Sequence, residues 1–379
     1  MSESGSKTLG RQKSITWLLI LLPVLFLSGW GVITLMSAGA IRPDPLALVK
    51  KQAIWMAIGF CACMFSAFID LNFLRKIAIP CAVLAFILML LVFVPGVGET
   101  VKGSSRWVRV GSFVFQPSDL AKVSLVIWMA AYLQHFQRAI DTFWKGAFAP
   151  FILIGLFIAP ILKEPDFGTS ALCFAVAFGM MFMAGVRILH IAPFALLASL
   201  GISVLVYLNP NRLRRLASFL NRENEALDGG YQLTQAIYAF GAGKITGVGF
   251  GEGRQQYSFL PEAHTDFIFA NIGEECGLVG TMLVLLSFLA LFLMMIFNLK
   301  KAPNLFEFSL GLGAMLMIIV QALFNMGVVI GLLPTKGISL PFLSYGGSNL
   351  VVMFFFIGLT MNCMRRWNAP KLIRTTDYE

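Results

Sequence analysis

The sequence predicts an all-α integral membrane protein of about ten transmembrane helices, with a large structured extracytoplasmic loop at about residues 209–266. Composition is the first reason, because 58% of the 379 residues are hydrophobic and only 13% are charged, whereas soluble domains carry about 25%. The second reason is that the apolar residues run continuously for the roughly 20 residues that a helix needs to cross the hydrocarbon core. A β-barrel is excluded, since its strands would alternate with a period of two.

Ten apolar segments are the predicted spans: residues 15–38, 51–69, 76–94, 118–136, 146–163, 168–185, 188–208, 267–297, 305–330 and 346–364. The first is too long for the core of a signal peptide, so we expect it to remain as an anchor. The chain is therefore interpreted as an N-terminal tail (1–14), one polytopic membrane domain (15–364) and a C-terminal tail (365–379).

The distribution of basic residues orients the chain. An even number of spans places both termini on one side, and the tails and short loops of that side are rich in Lys and Arg, so the positive-inside rule makes them cytoplasmic. The outer side is basic as well, even in the short 95–117 segment, and the net charge is +10. This excess favours an anionic partner, either lipid head groups or a phosphorylated substrate. Nucleic acid is disfavoured, because no basic module stands outside the spans.

The large loop is expected to contain a short helix at residues 231–241. Leu233, Ile237 and Phe240 recur at i, i+4 and i+7 and define one apolar face. A helix with one apolar stripe lies on the membrane surface or packs against the bundle.

Four segments on the outer side hold nearly all the unusual polar residues. The first contains Arg106, Trp107 and Arg109, followed by Asp119 and Lys122 at the start of a span. Asp119 and Lys122 lie at i and i+3, close enough to pair. The pair is either structural, or Lys122 faces a phosphate and Asp119 orients it.

Residues 163–168 form the second segment, where three charges, Asp166 among them, fall within four residues between two spans. Such charges line a wet cavity, unless they make only a structural turn. The third segment, 249–270, changes at Asp266 from a glycine-rich loop into an apolar helix, whose dipole favours the ionised carboxylate. His264 contacts either a loop carbonyl or a substrate, and Glu274 is interpreted as the structural partner of a buried cation.

The fourth segment, 331–348, contains Lys336 and Ser344 and is broken by two prolines and four glycines. Irregular backbone near a membrane is found inside protein or along a cavity. Its free N–H groups and hydroxyls are suited to holding an anion.

Together these runs resemble the SEDS family of shape, elongation, division and sporulation proteins. The resemblance follows the order of the chain over most of its length, through residues 106–111, 116–122, 163–168, 231–235, 260–269 and 331–347. The runs GRQQYSFLPEAHTDFIFA and GLLPTKGISLPFLSYGGS are closer to the division branch of the family than to its elongation branch or a sporulation paralogue.

The resemblance implies a peptidoglycan glycosyltransferase that polymerises lipid II at the outer face of the cytoplasmic membrane, with a class B penicillin-binding protein as transpeptidase partner. The family's essential aspartate falls on Asp266, its second cavity aspartate on Asp166 and its motif tryptophan on Trp107. Asp119 stands where family members usually have Glu, and Lys122 is kept.

The expected chemistry is attack of a sugar 4-hydroxyl on an anomeric carbon, with a diphosphate leaving and Asp266 as the base. The residues expected to contact substrate are Arg106, Trp107, Arg109, Asp119, Lys122, Asp166, Arg254, His264, Lys336 and Ser344. The resemblance also implies a divalent cation, Mg²⁺ or Mn²⁺, at the diphosphates, and no organic cofactor. The alternatives are a flippase for the same lipid, a non-catalytic scaffold for division enzymes, and a polymerase of the elongation type.

Overall fold

The computed structural model describes residues 3–40, 43–95, 97–101, 104–110, 113–210, 213, 216–217, 219, 228–255, 260–335 and 337–367. Over these residues the protein is mostly helical. The helices are α1 (Glu3–Gly39), α2 (Ala47–Phe68), α3 (Leu71–Lys76), α4 (Ala78–Leu91), α5 (Pro117–His135), α6 (Ala149–Lys163), α7 (Phe167–Met183), α8 (Ile188–Tyr207), α9 (Asp228–Gly243), α10 (Ile268–Leu299), α11 (Leu305–Val329) and α12 (Ser348–Trp367). A π-helical turn, Phe143–Phe148, leads into α6.

A helix stands at each of the ten predicted spans, and the chain is a multi-pass membrane protein. Among the described residues, seven helical stretches are long and apolar enough to cross a membrane: those of α1, α2, α6 with its π-helical turn, α8, α10, α11 and α12. Helices α4 and α7 are apolar but shorter, and α5 carries the charged Asp119 and Lys122. The count of ten crossings stays a prediction.

The segment between α4 and α5 differs from the all-helical expectation. It forms an antiparallel sheet of three short strands, β1 (Gly98–Val101), β2 (Ser104–Val110) and β3 (Phe113–Phe115), in the order β1-β2-β3. The sequence there is rich in valine and aromatic residues, which favour a pleated, half-buried surface. The register of β1 and β2 shifts between Glu99, which pairs with Trp107, and Thr100, which pairs with Ser105, so Arg106 lies at an irregularity of the sheet.

Helices α11 and α12 form the centre of the bundle, while α8 lies at its edge and has few buried residues. Helix α12 packs very closely along α2. The closeness is shown at Gly358, where a Cβ would overlap the carbonyl oxygen of Cys63. Further along α12, Asn362 Nδ2 donates to the carbonyl oxygens of Ser66 (2.9 Å) and Ile69 (2.7 Å). This amide satisfies carbonyls that the end of α2 leaves open.

Helix α9 confirms the predicted helix in the loop, and it packs against α10. The ring of Phe240 lies edge-on to that of Phe269, with 5.8 Å between the centroids, and Leu233 is buried. Ile237 is 38% exposed, so it does not share the burial of Leu233. The buried face instead contains small alanines, which allow the two helices a close approach.

Helix α10 is broken at Gly277, whose φ of 63° and ψ of −156° are not helical. The chain after α9 fills the break, because Val248 N donates to the Glu274 carbonyl (3.0 Å) and Leu278 N donates to the Lys244 carbonyl (2.9 Å). A Cβ at Gly277 would lie 2.5 Å from the backbone of this segment. Only glycine combines this positive φ with so close an approach.

The Glu274 carboxylate binds the same loop. The sequence predicted that Glu274 would pair with a buried cation, but its partners are backbone N–H groups. Glu274 Oε1 accepts hydrogen bonds from the backbone N–H groups of Arg254 (2.8 Å) and Gln255 (3.1 Å). Glu275 Oε1 likewise accepts from Gly251 N at 3.0 Å. Residues 244–255 are therefore anchored to α10 by backbone and carboxylate together.

Candidate functional site

The turn that carries Asp266 is held by the surrounding structure. Four consecutive carbonyl oxygens, from residues 263 to 266, each accept a hydrogen bond from elsewhere in the chain. The bonds are Asn271 Nδ2 to Ala263 (2.9 Å), Tyr345 N to His264 (2.9 Å), Ser344 Oγ to Thr265 (2.6 Å) and Asn325 Nδ2 to Asp266 (2.7 Å). The backbone at Asp266 is thus fixed by α10, α11 and the segment that precedes α12.

Asp266 stands two residues before the first residue of α10 and is half-buried. The loop after α11 passes directly beside its carboxylate, since a Cβ at Gly337 would lie 3.1 Å from Asp266 Oδ2. A side chain at residue 337 would therefore crowd the carboxylate. This arrangement gives a carboxylate of defined position at the N-terminus of a helix, where negative charge is favoured.

The predicted pairing of Asp119 and Lys122 is confirmed, with Lys122 Nζ 2.8 Å from Asp119 Oδ1. Both side chains are about 5% exposed, so the pair is buried within the bundle. Lys122 Nζ also donates to Asn349 Oδ1 at 3.1 Å, and Asp119 Oδ2 accepts from Ser348 Oγ at 2.6 Å. Buried charges are tolerated only when they are paired and hydrogen-bonded in this way.

The network continues from this pair towards α7. Gln116 N donates to Ser348 Oγ (3.3 Å), and Gln116 Nε2 donates to Asp166 Oδ2 (3.0 Å). Asp166 also caps α7, because its Oδ1 accepts from Thr169 N (3.1 Å) and its Oδ2 from Thr169 Oγ1 (2.9 Å). Asp166 therefore has an N-cap function in the fold, and it joins the start of α7 to the start of α5.

A second branch of the network leads from the ion pair to Asp266. Gln321 Nε2 on α11 donates to the carbonyl oxygen of Ser339 at 2.9 Å, and Asn349 Nδ2 donates to Ser339 Oγ at 2.9 Å. One residue earlier, the Ile338 carbonyl accepts from Asn325 Nδ2 at 2.7 Å. Residues 337–344 thus connect the surroundings of Lys122 to those of Asp266.

Arg106 binds the turn between α6 and α7. Its Nε donates to the Glu164 carbonyl oxygen (2.9 Å) and its Nη2 to the Pro165 carbonyl oxygen (2.8 Å). Trp107 on the same strand is half-buried, whereas Arg109 is exposed. Arg106 is therefore engaged within the fold, and Arg109 is the more exposed of the two arginines.

Glu164 lies at the same turn, outside the membrane-spanning helices. Both its carboxylate oxygens are buried and have no hydrogen-bond partner among the described residues. Burial raises the pKa of this carboxyl to about 8, the neighbouring Asp166 adds to the rise, and Arg106 opposes it. Glu164 is therefore largely protonated at neutral pH.

The remaining predicted site residues lie in different settings. His264 is half-buried, with its ring centroid 6.0 Å from that of Tyr345. Arg254 is exposed on the anchored loop, and Lys336 lies outside the described residues. The Ser344 hydroxyl donates to the Thr265 carbonyl and accepts from Leu340 N at 2.7 Å, so it is engaged in both directions within the fold.

The sequence interpretation missed the amide side chains on α11. Gln321 and Asn325 are both buried, and both belong to the hydrogen-bonded network described above. They lie at i and i+4 inside an otherwise apolar span, hence on one face of the helix. Polar residues at such depth are costly unless they serve a site, so this spacing could have identified them.

The arrangement supplies the groups that acid–base chemistry on an anionic substrate requires. It combines a fixed carboxylate, a buried cation and exposed arginines at one end of the bundle. Among the described residues, no group of three or more His, Cys, Asp or Glu side chains could hold a metal ion.

Comparison with known proteins identifies the family. Residues 13–368 match the family model described as "Cell cycle protein", which covers FtsW, RodA and SpoVE. The chain belongs to the FtsW/RodA/SpoVE family of cell cycle proteins. Membership confirms the resemblance that the sequence motifs indicated.

Two relatives in the FtsW/RodA/SpoVE family are similar over nearly their full length. The "Probable peptidoglycan glycosyltransferase FtsW" of Geobacter sp. (strain M18) is 39% identical over 354 residues, which cover 92% of this chain and 96% of the relative. The "Stage V sporulation protein E" of Bacillus subtilis (strain 168) is 37% identical over 355 residues, with 92% and 96% covered.

Solved structures from the same family have a similar fold. One, described as "Structural coordination of polymerization and crosslinking by a peptidoglycan synthase complex", is 26% identical with a TM-score of 0.76, covering 92% of this chain and 97% of that one. The rod shape determining protein RodA of Thermus thermophilus has a TM-score of 0.68 at 24% identity, covering 92% and 96%.

Proposed function

We propose that this protein is a peptidoglycan glycosyltransferase that polymerises lipid II during cell division and releases polyprenyl diphosphate. The observation that carries the proposal is the Asp266 carboxylate, fixed through its backbone and placed beside the loop at Gly337. The name of the 39% identical relative, a probable peptidoglycan glycosyltransferase FtsW, supports the reaction class and favours the division role over a RodA-like elongation role.

In the proposed reaction, the 4-hydroxyl oxygen of one sugar attacks the anomeric carbon of another. The new glycosidic bond forms as the bond from that carbon to the diphosphate oxygen breaks, and the hydroxyl proton passes to Asp266. The diphosphate is already stable as an anion, so a positioned base and positive charge suffice. A single displacement of this kind inverts the anomeric configuration.

The positive charge that would stabilise the leaving diphosphate can come from exposed or from buried basic residues. Arg109 and Arg254 are exposed and are the best candidates to meet a diphosphate, together with Lys336. Lys122 is buried against Asp119, so we assign it to holding the network that supports the site. In this proposal Trp107, Asp166, His264 and Ser344 shape the cavity around the substrate.

The divalent cation that the resemblance implies fits this site as an ion bound to the diphosphate of the substrate. The described residues do not form a resident metal centre, because no group of three or more acidic, His or Cys side chains comes together. Mg²⁺ commonly takes one or two carboxylates and completes its shell with phosphate oxygens and water. We therefore propose that Mg²⁺ or Mn²⁺ arrives with the diphosphate, and no step is assigned to it.

The proposed topology has ten crossings, both termini in the cytoplasm, and the site on the extracytoplasmic side with the 209–266 loop. The basic tails and the loops next to them support this orientation through the positive-inside rule. The proposed location is the cytoplasmic membrane, which supplies the lipid substrate.

The proposed partner is a class B penicillin-binding protein, which cross-links the strands that this chain would make. The structural neighbour described as part of a peptidoglycan synthase complex that coordinates polymerization and crosslinking supports an assembly of this kind. Other division proteins would join through the same complex.

Polymerisation of purified lipid II by the purified protein tests the proposal. We expect glycan strands and free polyprenyl diphosphate, in larger amount when the transpeptidase partner is present. A flippase would instead move fluorescent lipid II across a liposome bilayer and make no glycan. Transport without product, from protein reconstituted with its partner, would refute the proposed reaction.

A further inference from the structure

Asn325 joins two chain segments that meet at the candidate carboxylate. It lies near the end of α11 and is 2% exposed. Its Nδ2 group donates to the carbonyl oxygens of Asp266 and Ile338, at 2.7 Å each. An amide NH₂ carries two donors, so both are used, one for each segment.

The two carbonyls flank the space beside the Asp266 carboxylate. Ile338 directly follows Gly337, whose backbone passes against Asp266 Oδ2. When one side chain holds both segments, the backbone of Asp266 and the loop at Gly337 cannot move apart without breaking one of these hydrogen bonds, which limits the positions open to the carboxylate. Losing the donor would leave both carbonyls without this hydrogen bond, the Ile338 carbonyl in a buried setting, and both segments would move to find other partners.

We propose that Asn325 is a positioning residue, which sets the placement of the Asp266 carboxylate against Gly337 and hence against the sugar hydroxyl. The inference rests on the proposed function, because it requires Asp266 to act as the base. Asn325 acts through Asp266 and does not contact the substrate itself. Its loss therefore affects the chemical step more than the binding of lipid II.

The size of the effect follows from the sensitivity of catalysis to position. A catalytic group displaced by about 1 Å can lose about 100-fold in rate. For Asn325→Leu, which removes both hydrogen bonds at similar volume, we expect kcat to fall by about 10- to 100-fold. The KM for lipid II should stay within about twofold, since an interaction that acts only in the transition state lowers kcat alone.

The chain offers a matched control in Asn362, which makes the same type of contact elsewhere. Its Nδ2 donates to two carbonyl oxygens at 2.9 and 2.7 Å, and it is fully buried. It lies 14 residues beyond Ser348 on α12, about 21 Å by helical rise. Asn362→Leu should thus reduce thermal stability about as much as Asn325→Leu while leaving kcat per folded molecule near the wild-type value.

The experiment measures kcat, KM and melting temperature for wild type, both Leu variants and Asp266→Asn. An unchanged kcat in Asn325→Leu, or an equal fall in Asn362→Leu, would overturn the inference while wild-type activity upholds the proposed function. No glycan from wild type would instead refute the proposed function and the inference with it. Should Asn325→Leu not fold, Asn325→Ser, which keeps a single donor, is compared in the same way.

A double-mutant cycle adds a readout that a purely structural role would not change. Gly337→Ala pushes a methyl group towards the same carboxylate, so its effect on kcat should combine non-additively with that of Asn325→Leu. The cycle of Gly337→Ala with Asn362→Leu should be additive. Additive effects in both cycles would contradict the proposal.

Discussion

The buried Asp119–Lys122 pair leads to a quantitative prediction about what holds the site together. Lys122→Met keeps the length of the side chain and removes its charge. Asp119 would retain the hydrogen bond from Ser348 Oγ but lose its cation at a place where it is about 5% exposed. The variant therefore leaves an uncompensated charge inside the bundle.

The expected loss follows from the geometry of the pair. At the observed 2.8 Å and an effective dielectric constant of about 20, the attraction is about 6 kcal/mol. Much of this offsets the desolvation of two charges. Removing one partner of a buried pair costs about 3–5 kcal/mol, and removing both together costs much less. The free energy of unfolding of Lys122→Met should therefore be about 3–5 kcal/mol lower than that of wild type. The double variant Asp119→Asn/Lys122→Met should recover most of this loss.

Unfolding in micelles, followed by tryptophan fluorescence, measures this free energy for wild type, both single variants and the double variant. The exposed pair of Lys50 and Asp44, 3.6 Å apart, is the control, and Lys50→Met should cost at most about 1 kcal/mol. Equal stability of single and double variants would refute the reasoning. A double variant that regains stability but makes no glycan would show that Asp119 or Lys122 also acts on the substrate.

Three further predictions concern the surroundings of the site. Glu274→Gln should raise the KM for lipid II and speed hydrogen exchange at residues 249–255, because the acceptor of the Arg254 N–H loses its negative charge and the bond weakens. An unchanged KM together with faster exchange would exclude a binding role for Arg254. The pKa of Glu164 lies near 8 in the folded protein against an ordinary value of 4.5, so its contribution to stability is full below about pH 4.5 and is lost as pH rises through about 8. The melting temperature of Glu164→Gln should therefore rise relative to wild type between pH 5 and 9, and a constant difference would contradict this. The transpeptidase partner should increase the initial rate and protect residues 231–243, whereas the anchored 244–255 segment should exchange slowly in both states; identical exchange at residues 231–243 with and without the partner would contradict this prediction.

The sequence is sufficient to predict the features that depend on the local pattern of residues. Continuous apolar runs locate the helices, and the i, i+3 spacing of Asp119 and Lys122 predicts their ion pair. The start of α10 next to Asp266 follows from the change from glycine-rich to apolar sequence. Each of these depends on residues that are neighbours along the chain.

Features that depend on tertiary contacts are not accessible in this way. Asn325 is 59 residues from Asp266 in the chain, and nothing local marks which carbonyls its amide would reach. The sequence places Arg106 at a diphosphate with Arg109, but Arg106 instead donates to the carbonyl oxygens of Glu164 and Pro165. It also pairs Glu274 with a cation, and the break at Gly277 instead brings backbone N–H groups to that carboxylate.

Lipid II polymerisation by Asp266→Asn tests the central claim most directly. The change removes the base and alters the volume little, so folding and membrane insertion should be preserved. We expect glycan synthesis to be lost in the Asn variant and strongly reduced in Asp266→Glu, because the carboxylate is displaced by about 1 Å. Glycan synthesis by Asp266→Asn at a rate near that of wild type would contradict the account.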